Sequence, residues 1–137
     1  MKIPKYVVAA DAIILDQAAG KSRIVLIKRK NPPFQDKNAL PGGFMEEDET
    51  LEQCCIREAK EETNLDVNIT RLVGVYSGVN RDPRGRTVSG TYLCTPVGGV
   101  LKAADDAEEA YWFPVKKLED LEFAFDHKLM LQDAGLL

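Results

Sequence analysis

One helix is marked at both of its ends in this sequence, and it limits what the chain can fold into more than any other feature. The run Thr50-Leu51-Glu52-Gln53 matches a capping box, which places a helix N-terminus at Thr50. Asn64 is the residue that, after glycine, best tolerates the left-handed conformation found just past a helix C-terminus. The sequence therefore predicts a helix from residue 50 to about residue 63.

Three glutamates, Glu58, Glu61 and Glu62, lie close together near the C-terminal end of this predicted helix. Spacings of three and four residues place their carboxylates on one face, where like charges repel by roughly 0.2–0.5 kcal/mol per pair. The negative end of the helix dipole makes them less favourable still. At about 100° per residue the same side carries Leu51 and Cys54, so the carboxylates continue an apolar stripe.

Partly buried carboxylates need compensation by protonation, by arginine or by a metal ion. Ligands that are all oxygen, without histidine or thiolate, favour a hard cation such as Mg²⁺ or Mn²⁺ over zinc. Arg57 supports a simpler alternative, because it can pair with Glu61 four residues later and leave the cluster a solvated helix end. The cluster by itself leaves both interpretations open.

Composition favours one domain over residues 1–137, because 137 residues with 45% hydrophobic content suffice for a single core. The net charge of −4 comes from interleaved acidic and basic residues, with no basic stripe for nucleic acid and no polybasic segment for a membrane surface. No stretch approaches the ~18 apolar residues of a membrane span, and Asp11 interrupts the apolar run near the N-terminus. We therefore expect a cytoplasmic protein without nucleic-acid or membrane partners.

Short β-rich runs lie on both sides of the predicted helix. They are expected at residues 6–15, 23–29, 67–76 with a bulge near Arg71, 87–97, 100–102 and 112–113. A second helix is predicted to begin with Asp126 as its N-cap, and His127 is expected only to cap or decorate it. The economical fold class is α/β, an α/β/α sandwich with a mixed β-sheet between helices.

A wider pattern extends from the glutamates toward the N-terminus. Its fixed positions are Gly43, Glu49, Arg57, Glu58, Glu61 and Glu62. Across twenty-three positions this pattern resembles the signature of the Nudix hydrolase family. The resemblance extends to residues 25–29, 40–44 and 112–114. One position departs, because Asn64 stands where the family usually has glycine, although both residues suit a left-handed helix end.

The resemblance implies hydrolysis of a nucleoside diphosphate linked to another moiety, with two or more Mg²⁺ or Mn²⁺ ions that neutralise the diphosphate and activate water. By position, the implied metal ligands are Glu58 and Glu62, the carbonyl of Gly42, and Glu61 as a further ligand or as the base. Arg57 would orient the glutamates, with Glu49 as its partner. Family members often take the general base from outside the signature, and the candidates here are Asp105, Asp106, Glu108 and Glu109.

A further segment, residues 77–89, is similar to one found in the small ADP-ribose pyrophosphatases of the family, as is Phe125-Asp126-His127. Its turn carries three arginines, Arg81, Arg84 and Arg86, and guanidinium groups bind phosphate bidentately. Arg29, at the end of a strand, is a further expected phosphate contact. The simpler alternative is a charged hairpin tip that only solvates itself.

The resemblance therefore favours an ADP-ribose pyrophosphatase that yields AMP and ribose 5-phosphate from a nucleotide-sugar substrate. Two alternatives stay open. The same metal-binding helix would serve a pyrophosphatase acting on oxidised nucleoside triphosphates, and a module of another class would bind ADP-ribose as a sensor without hydrolysing it. Small members of this branch often dimerise, so a homodimer is also expected.

Overall fold

A mixed β-sheet organises the chain, and the computed structural model describes residues 1–102 and 109–137. The strands are β1 (Val7–Asp16), β2 (Arg23–Lys28), β3 (Asn38–Ala39), β4 (Gly42–Phe44), β5 (Asp66–Tyr76), β6 (Thr87–Gly98) and β7 (Glu109–Pro114). The α-helices are α1 (Leu51–Thr63) and α2 (His127–Asp133), and a 3₁₀ segment spans Val115–Asp120.

The central strand of the sheet is β1. It pairs in parallel with β6 and antiparallel with β2 and β4. Outward from it, β6 pairs with β5, and β2 pairs with both β3 and β7, all antiparallel. This gives the order β3-β2-β1-β6-β5. Outside this order, β4 pairs with β1 and β7 pairs with β2. The predicted mixed sheet is confirmed, and its first two strands form an antiparallel pair.

Side chains of β1 alternate between the two faces of the sheet, as strand geometry requires. Ala10, Ala12 and Ile14 are buried in the core that includes Cys54 and other residues of α1, whereas Ile13 is buried in the core that includes Met130 of α2. Helices therefore cover both faces, and the predicted α/β/α sandwich is confirmed. Neither α1 nor α2, the α-helices of the described residues, has the length and apolar character of a bilayer-crossing helix.

The signals at the ends of α1 act as the sequence predicts. The Gln53 N–H donates to Thr50 Oγ1 over 3.2 Å, and the Thr50 N–H donates to Gln53 Oε1 over 2.8 Å, which completes the capping box. Asn64 takes the left-handed conformation, with a φ of 65°, and its N–H donates to the Lys60 carbonyl. The helix is therefore fixed at both ends by local hydrogen bonds.

Two expectations about the remaining elements need comment. The pairing of β5 with β6 shifts register between Ile69 and Arg71, which confirms the predicted bulge. Residues 100–102 form no strand, so that prediction is wrong. The segment instead lies against the end of α1, where the Lys102 N–H donates to the Thr63 carbonyl over 2.9 Å.

Candidate active site

Two adjacent glycines, Gly42 and Gly43, bring the short strand β4 close to carboxylates on both of its sides. A Cβ atom on Gly43 would lie 2.4 Å from Glu58 Oε2, and one on Gly42 would lie 2.4 Å from Asp11 Oδ1. A Cβ on Gly42 would also lie 2.4 Å from the Ala10 carbonyl oxygen, so this position requires glycine, whereas a Cβ on Gly43 would displace the Glu58 carboxylate. Because neighbouring residues of a strand face opposite sides, β4 separates Glu58 from Asp11.

Arg57 ties the signature carboxylates together. Its guanidinium donates to both carboxylate oxygens of Glu49 over 2.9 and 2.6 Å, and to Glu58 Oε1 over 2.6 Å. It also donates to the Phe44 carbonyl over 3.0 Å and to Glu61 Oε2 over 3.1 Å. The hydrogen bond from Arg57 is the main reason that the pKa of Glu49 falls to about 2. Arg57 thus links the glycine strand, the loop before α1 and the helix itself.

The three glutamates of α1 occupy different environments. Glu58 is 14% exposed, and burial raises the pKa of its carboxyl above the ordinary range. Glu62 accepts a hydrogen bond from the Gly42 N–H over 2.9 Å. Glu61 is 57% exposed and reaches only the outer side of Arg57. Glu58 and Glu62 therefore face the glycine strand, whereas Glu61 lies nearer to solvent.

The oxygen atoms around the glycine strand suit a hard divalent cation in kind and charge. Glu58 and Glu62 supply carboxylates, and burial disfavours the ionised form of Glu58 unless a positive charge compensates it. No three acidic, histidine or cysteine side chains converge on one point within the described residues. Glu49, Glu58 and Glu61 are instead arranged around the Arg57 guanidinium.

A cavity of about 310 Å³ opens between the glutamate helix and a wall that carries arginines. The Arg84 Cζ lies 5.1 Å from the centroid of the Phe44 ring and 5.5 Å from that of Phe125. The Arg29 Cζ lies 5.0 Å from the Phe125 ring, and its Nε donates to the Pro33 carbonyl. Two of the predicted phosphate contacts, Arg29 and Arg84, therefore line this cavity together with Glu58 and Glu62.

The other two arginines of the turn differ from this pair. Arg81 also lines the cavity, but it is only 6% exposed and its guanidinium donates to both oxygens of Asp126 and to Ser89 Oγ. Arg86 lies outside this cavity and lines a second one, of about 580 Å³, beside residues 4–7. The structure thus places three of the four predicted arginines at the cavity, and phosphate binding by any of the four stays a prediction.

Of the four expected acids from outside the signature, the described residues include one, Glu109. Asp105, Asp106 and Glu108 lie outside the described residues. Glu109 is the first residue of β7, where it stands opposite Lys28, a residue that lines the cavity. Glu109 itself is not among the lining residues, so its role as a base stays a prediction.

Two residues of the cavity were missed by the analysis of the sequence. Asp11 lies on β1, and burial raises the pKa of its carboxyl to about 7. His127 is buried at the start of α2, which corrects the expectation that it only caps or decorates the helix. Asp126 precedes α2 as predicted, but its carboxylate binds Arg81 and makes no cap. The one signal in the sequence for this part of the cavity was Asp11 itself, a charged residue inside an apolar strand.

Burial lowers the pKa of His127 to about 3, whereas an unfolded histidine titrates near 6.5. Between these values the unfolded chain binds a proton that the folded chain excludes, so stability falls as the pH drops below about 6.5. We expect the stability advantage of the wild type over His127→Asn to shrink by roughly 1.4 kcal/mol per pH unit below that point. Urea unfolding of both proteins at pH values from 7.5 to 5 would measure this difference in stability. A constant difference would contradict the prediction.

Comparison with known proteins identifies the class of this fold and site. A family model for the NUDIX domain matches residues 5–134, so the chain belongs to the NUDIX family. It is a Nudix pyrophosphohydrolase.

Three similar proteins show how the match extends. An ADP-ribose pyrophosphatase of Methanocaldococcus jannaschii is 48% identical over 92% of this chain and 71% of its own length. An ADPR responsive transcriptional repressor, NtrR of Acinetobacter baylyi, is 31% identical over 96% of this chain and 54% of its own. The third is a solved structure, a bifunctional NMN adenylyltransferase/ADP ribose pyrophosphatase of Francisella tularensis with AMP and a Mn ion. It is 32% identical to this chain, with a TM-score of 0.76. The match covers 96% of this chain and 42% of the F. tularensis chain. The chain thus spans only about half the length of the A. baylyi and F. tularensis proteins.

Proposed function

We propose that this protein hydrolyses ADP-ribose to AMP and ribose 5-phosphate, with two or more Mg²⁺ or Mn²⁺ ions. The observation that carries the proposal is the single cavity in which Glu58 and Glu62 lie with Arg29 and Arg84. Such a cavity suits a substrate with two phosphates, because divalent cations held by carboxylates and guanidinium groups both neutralise phosphate oxygens. The name and the 48% identity of the M. jannaschii relative support the choice of ADP-ribose.

Each residue of the signature then has a physical role. Glu58, Glu62 and the Gly42 carbonyl would hold the cations, with Glu61 as a further ligand or as the base. When bound, the cations lower the charge on the diphosphate and the pKa of the attacking water. Arg57 holds the carboxylate of Glu58 in place, since its guanidinium donates to Glu58 over 2.6 Å, and it partly offsets the rise in the pKa of Glu58 that burial causes.

The arginines would hold the diphosphate against this face. Arg29 and Arg84 are the proposed phosphate contacts, because both line the cavity and both guanidinium groups lie over the ring of Phe125, another residue of its lining. Arg84 is fixed by Asp82, which accepts from its Nε and its Nη2 over 3.1 and 2.9 Å. Arg81 would position the wall of the cavity through Asp126 and Ser89. The general base would come from Glu61, Glu109 or the acids of residues 105–108.

Two other activities fit parts of the same site. A Bacillus subtilis relative, a putative 8-oxo-dGTP diphosphatase, is 35% identical over 96% of this chain, which keeps triphosphate hydrolysis as an alternative. The A. baylyi repressor, an ADPR responsive protein, keeps a sensing role as the other. The complete set of signature glutamates favours hydrolysis over sensing.

A substrate panel distinguishes the three activities. The purified protein would be incubated with ADP-ribose, dinucleotides, other sugar nucleotides and oxidised triphosphates, with Mg²⁺, with Mn²⁺ or with a chelator. We expect AMP from ADP-ribose only when a divalent cation is present. Turnover of triphosphates alone would overturn the choice of substrate, and binding of ADP-ribose without turnover would overturn the enzymatic proposal. Size-exclusion chromatography and cell fractionation would test the homodimer and the cytoplasmic location that belong to the same proposal.

A further inference from the structure

Two polar side chains line the cavity on the side of β4 that faces away from α1. Asp11 and His127 have side chains that are 9% and 5% exposed, and both line the cavity. His127 Nε2 lies 3.6 Å from Asp11 Oδ1, which is too long for a direct hydrogen bond. In the part of the chain that the structure describes, no other group donates a hydrogen bond to this carboxylate. A nearly buried acceptor therefore faces the cavity without a hydrogen-bond donor.

The tautomer of His127 follows from its other contact. The Leu40 N–H donates to His127 Nδ1 over 3.0 Å, so Nδ1 carries no proton. Burial lowers the pKa of this histidine, and the neutral ring must then carry its proton on Nε2. The Nε2–H group and the Asp11 carboxylate thus present a donor and an acceptor side by side at the cavity.

The chemistry of this pair selects its ligand. A phosphate is unsuitable above pH 7, because the Asp11 carboxyl, whose pKa burial raises to about 7, is then ionised and would repel it. A cation held by the pair is also unsuitable, because His127 Nδ1 accepts from the Leu40 N–H and Nε2 carries the proton, so the ring has no lone pair left for a metal ion. A hydroxyl group fits, because it accepts one hydrogen bond and donates another.

We infer that Asp11 and His127 together bind one ribose hydroxyl of the substrate and make the enzyme selective for sugars that carry it. This inference rests on the proposed function, because ADP-ribose supplies both the diphosphate and the hydroxyl. Buried polar groups that lose their partner are costly, so a site of this kind rejects an analogue without the hydroxyl. Neither residue belongs to the signature on α1, so selectivity and metal binding are built from different elements.

The test compares kcat/KM for ADP-ribose with that for analogues that each lack one hydroxyl of either ribose. We expect the wild type to disfavour at least one analogue on the order of 10- to 100-fold, which one hydrogen bond to a charged group can supply. In Asp11→Ala this preference should be lost. The variant loses its hydrogen bond to the hydroxyl of ADP-ribose, whereas the analogue has no such hydroxyl and loses nothing. Asp11→Asn retains a carbonyl acceptor and should retain part of the preference.

Asp16→Ala is the matched control, since it removes a carboxylate from the same strand at a site outside both cavities. It should keep the wild-type preference. Equal turnover of all analogues by the wild type, or a uniform loss for every substrate in Asp11→Ala and Asp11→Asn, would overturn the inference while leaving the proposed function intact. Failure of the wild type to hydrolyse ADP-ribose at all would overturn the proposed function and this inference with it.

Discussion

Replacing Glu62 with glutamine is expected to lower the kcat for ADP-ribose by on the order of 10³-fold, because a metal-held charge contributes several kcal/mol to the transition state. The fold should survive, because the glutamine side-chain carbonyl can still accept the hydrogen bond from the Gly42 N–H. Removal of one negative charge beside Glu58 also relieves repulsion on the helix face. Steady-state kinetics together with thermal unfolding would measure both effects.

The same variant separates a metal site from a structural cluster. Mg²⁺ should raise the melting temperature of the wild type, because a ligand that binds only the folded state stabilises it, and should raise that of Glu62→Gln much less. Glu119→Gln, at an exposed position of the 3₁₀ segment, is the control with the same chemical change. An unfolded Glu62→Gln protein, or one with wild-type kcat, would show that Glu62 does not hold a catalytic cation.

Replacing Arg57 with alanine is expected to lower stability in a metal-free buffer, because it leaves the Glu49 and Glu58 carboxylates without their partner. Glu49 and Glu58 are only 10% and 14% exposed, and both accept hydrogen bonds of 2.6 Å from this guanidinium. The kcat should also fall at least 10²-fold, because a misplaced catalytic group weakens catalysis to that extent. Arg57→Lys should restore little of the stability or the kcat, since an ammonium group lacks the planar set of donors with which a guanidinium binds carboxylates.

A double-mutant cycle tests the origin of the Arg57 effect. Combining Arg57→Ala with Glu49→Gln should cost less than the sum of the two single changes, because the second change removes a charge that the first left unpaired. Saturating Mg²⁺ should recover part of the lost stability by supplying positive charge near Glu58. Strict additivity of the two changes in urea unfolding would argue against the pairing seen between these side chains.

The sequence predicted the parts of the site that depend on neighbours along the chain. The ends of α1 follow from the capping box at Thr50 and the left-handed Asn64, and the pairing of Arg57 with Glu49 follows from the signature. These contacts lie within one loop and one helix. The sandwich followed from the order of strands and helices, which leaves few ways to cover both faces of one sheet.

The parts that the sequence did not predict depend on contacts between distant segments. His127 enters the cavity because its ring accepts from Leu40, and Arg81 is enclosed because Asp126 lies beside it. Neither partner is near in sequence, and no local rule selects it. Asp126 illustrates the point. Its position before α2 was predicted, but its carboxylate accepts hydrogen bonds from Arg81 and does not cap the helix.

The two glycines of β4 also limit where this protein can tolerate changes in length. Asp11 stands opposite Gly42 and Ala10 opposite Gly43 in the pairing with β1. A one-residue insertion or deletion at Pro41 would slip this register and turn every side chain of the strand to the other face. Phe44 or Pro41 would then occupy a position where its Cβ meets the Glu58 carboxylate or the Ala10 carbonyl oxygen. Insertions should therefore be accepted elsewhere, such as the exposed turn after Asp16, and rejected between β3 and β4.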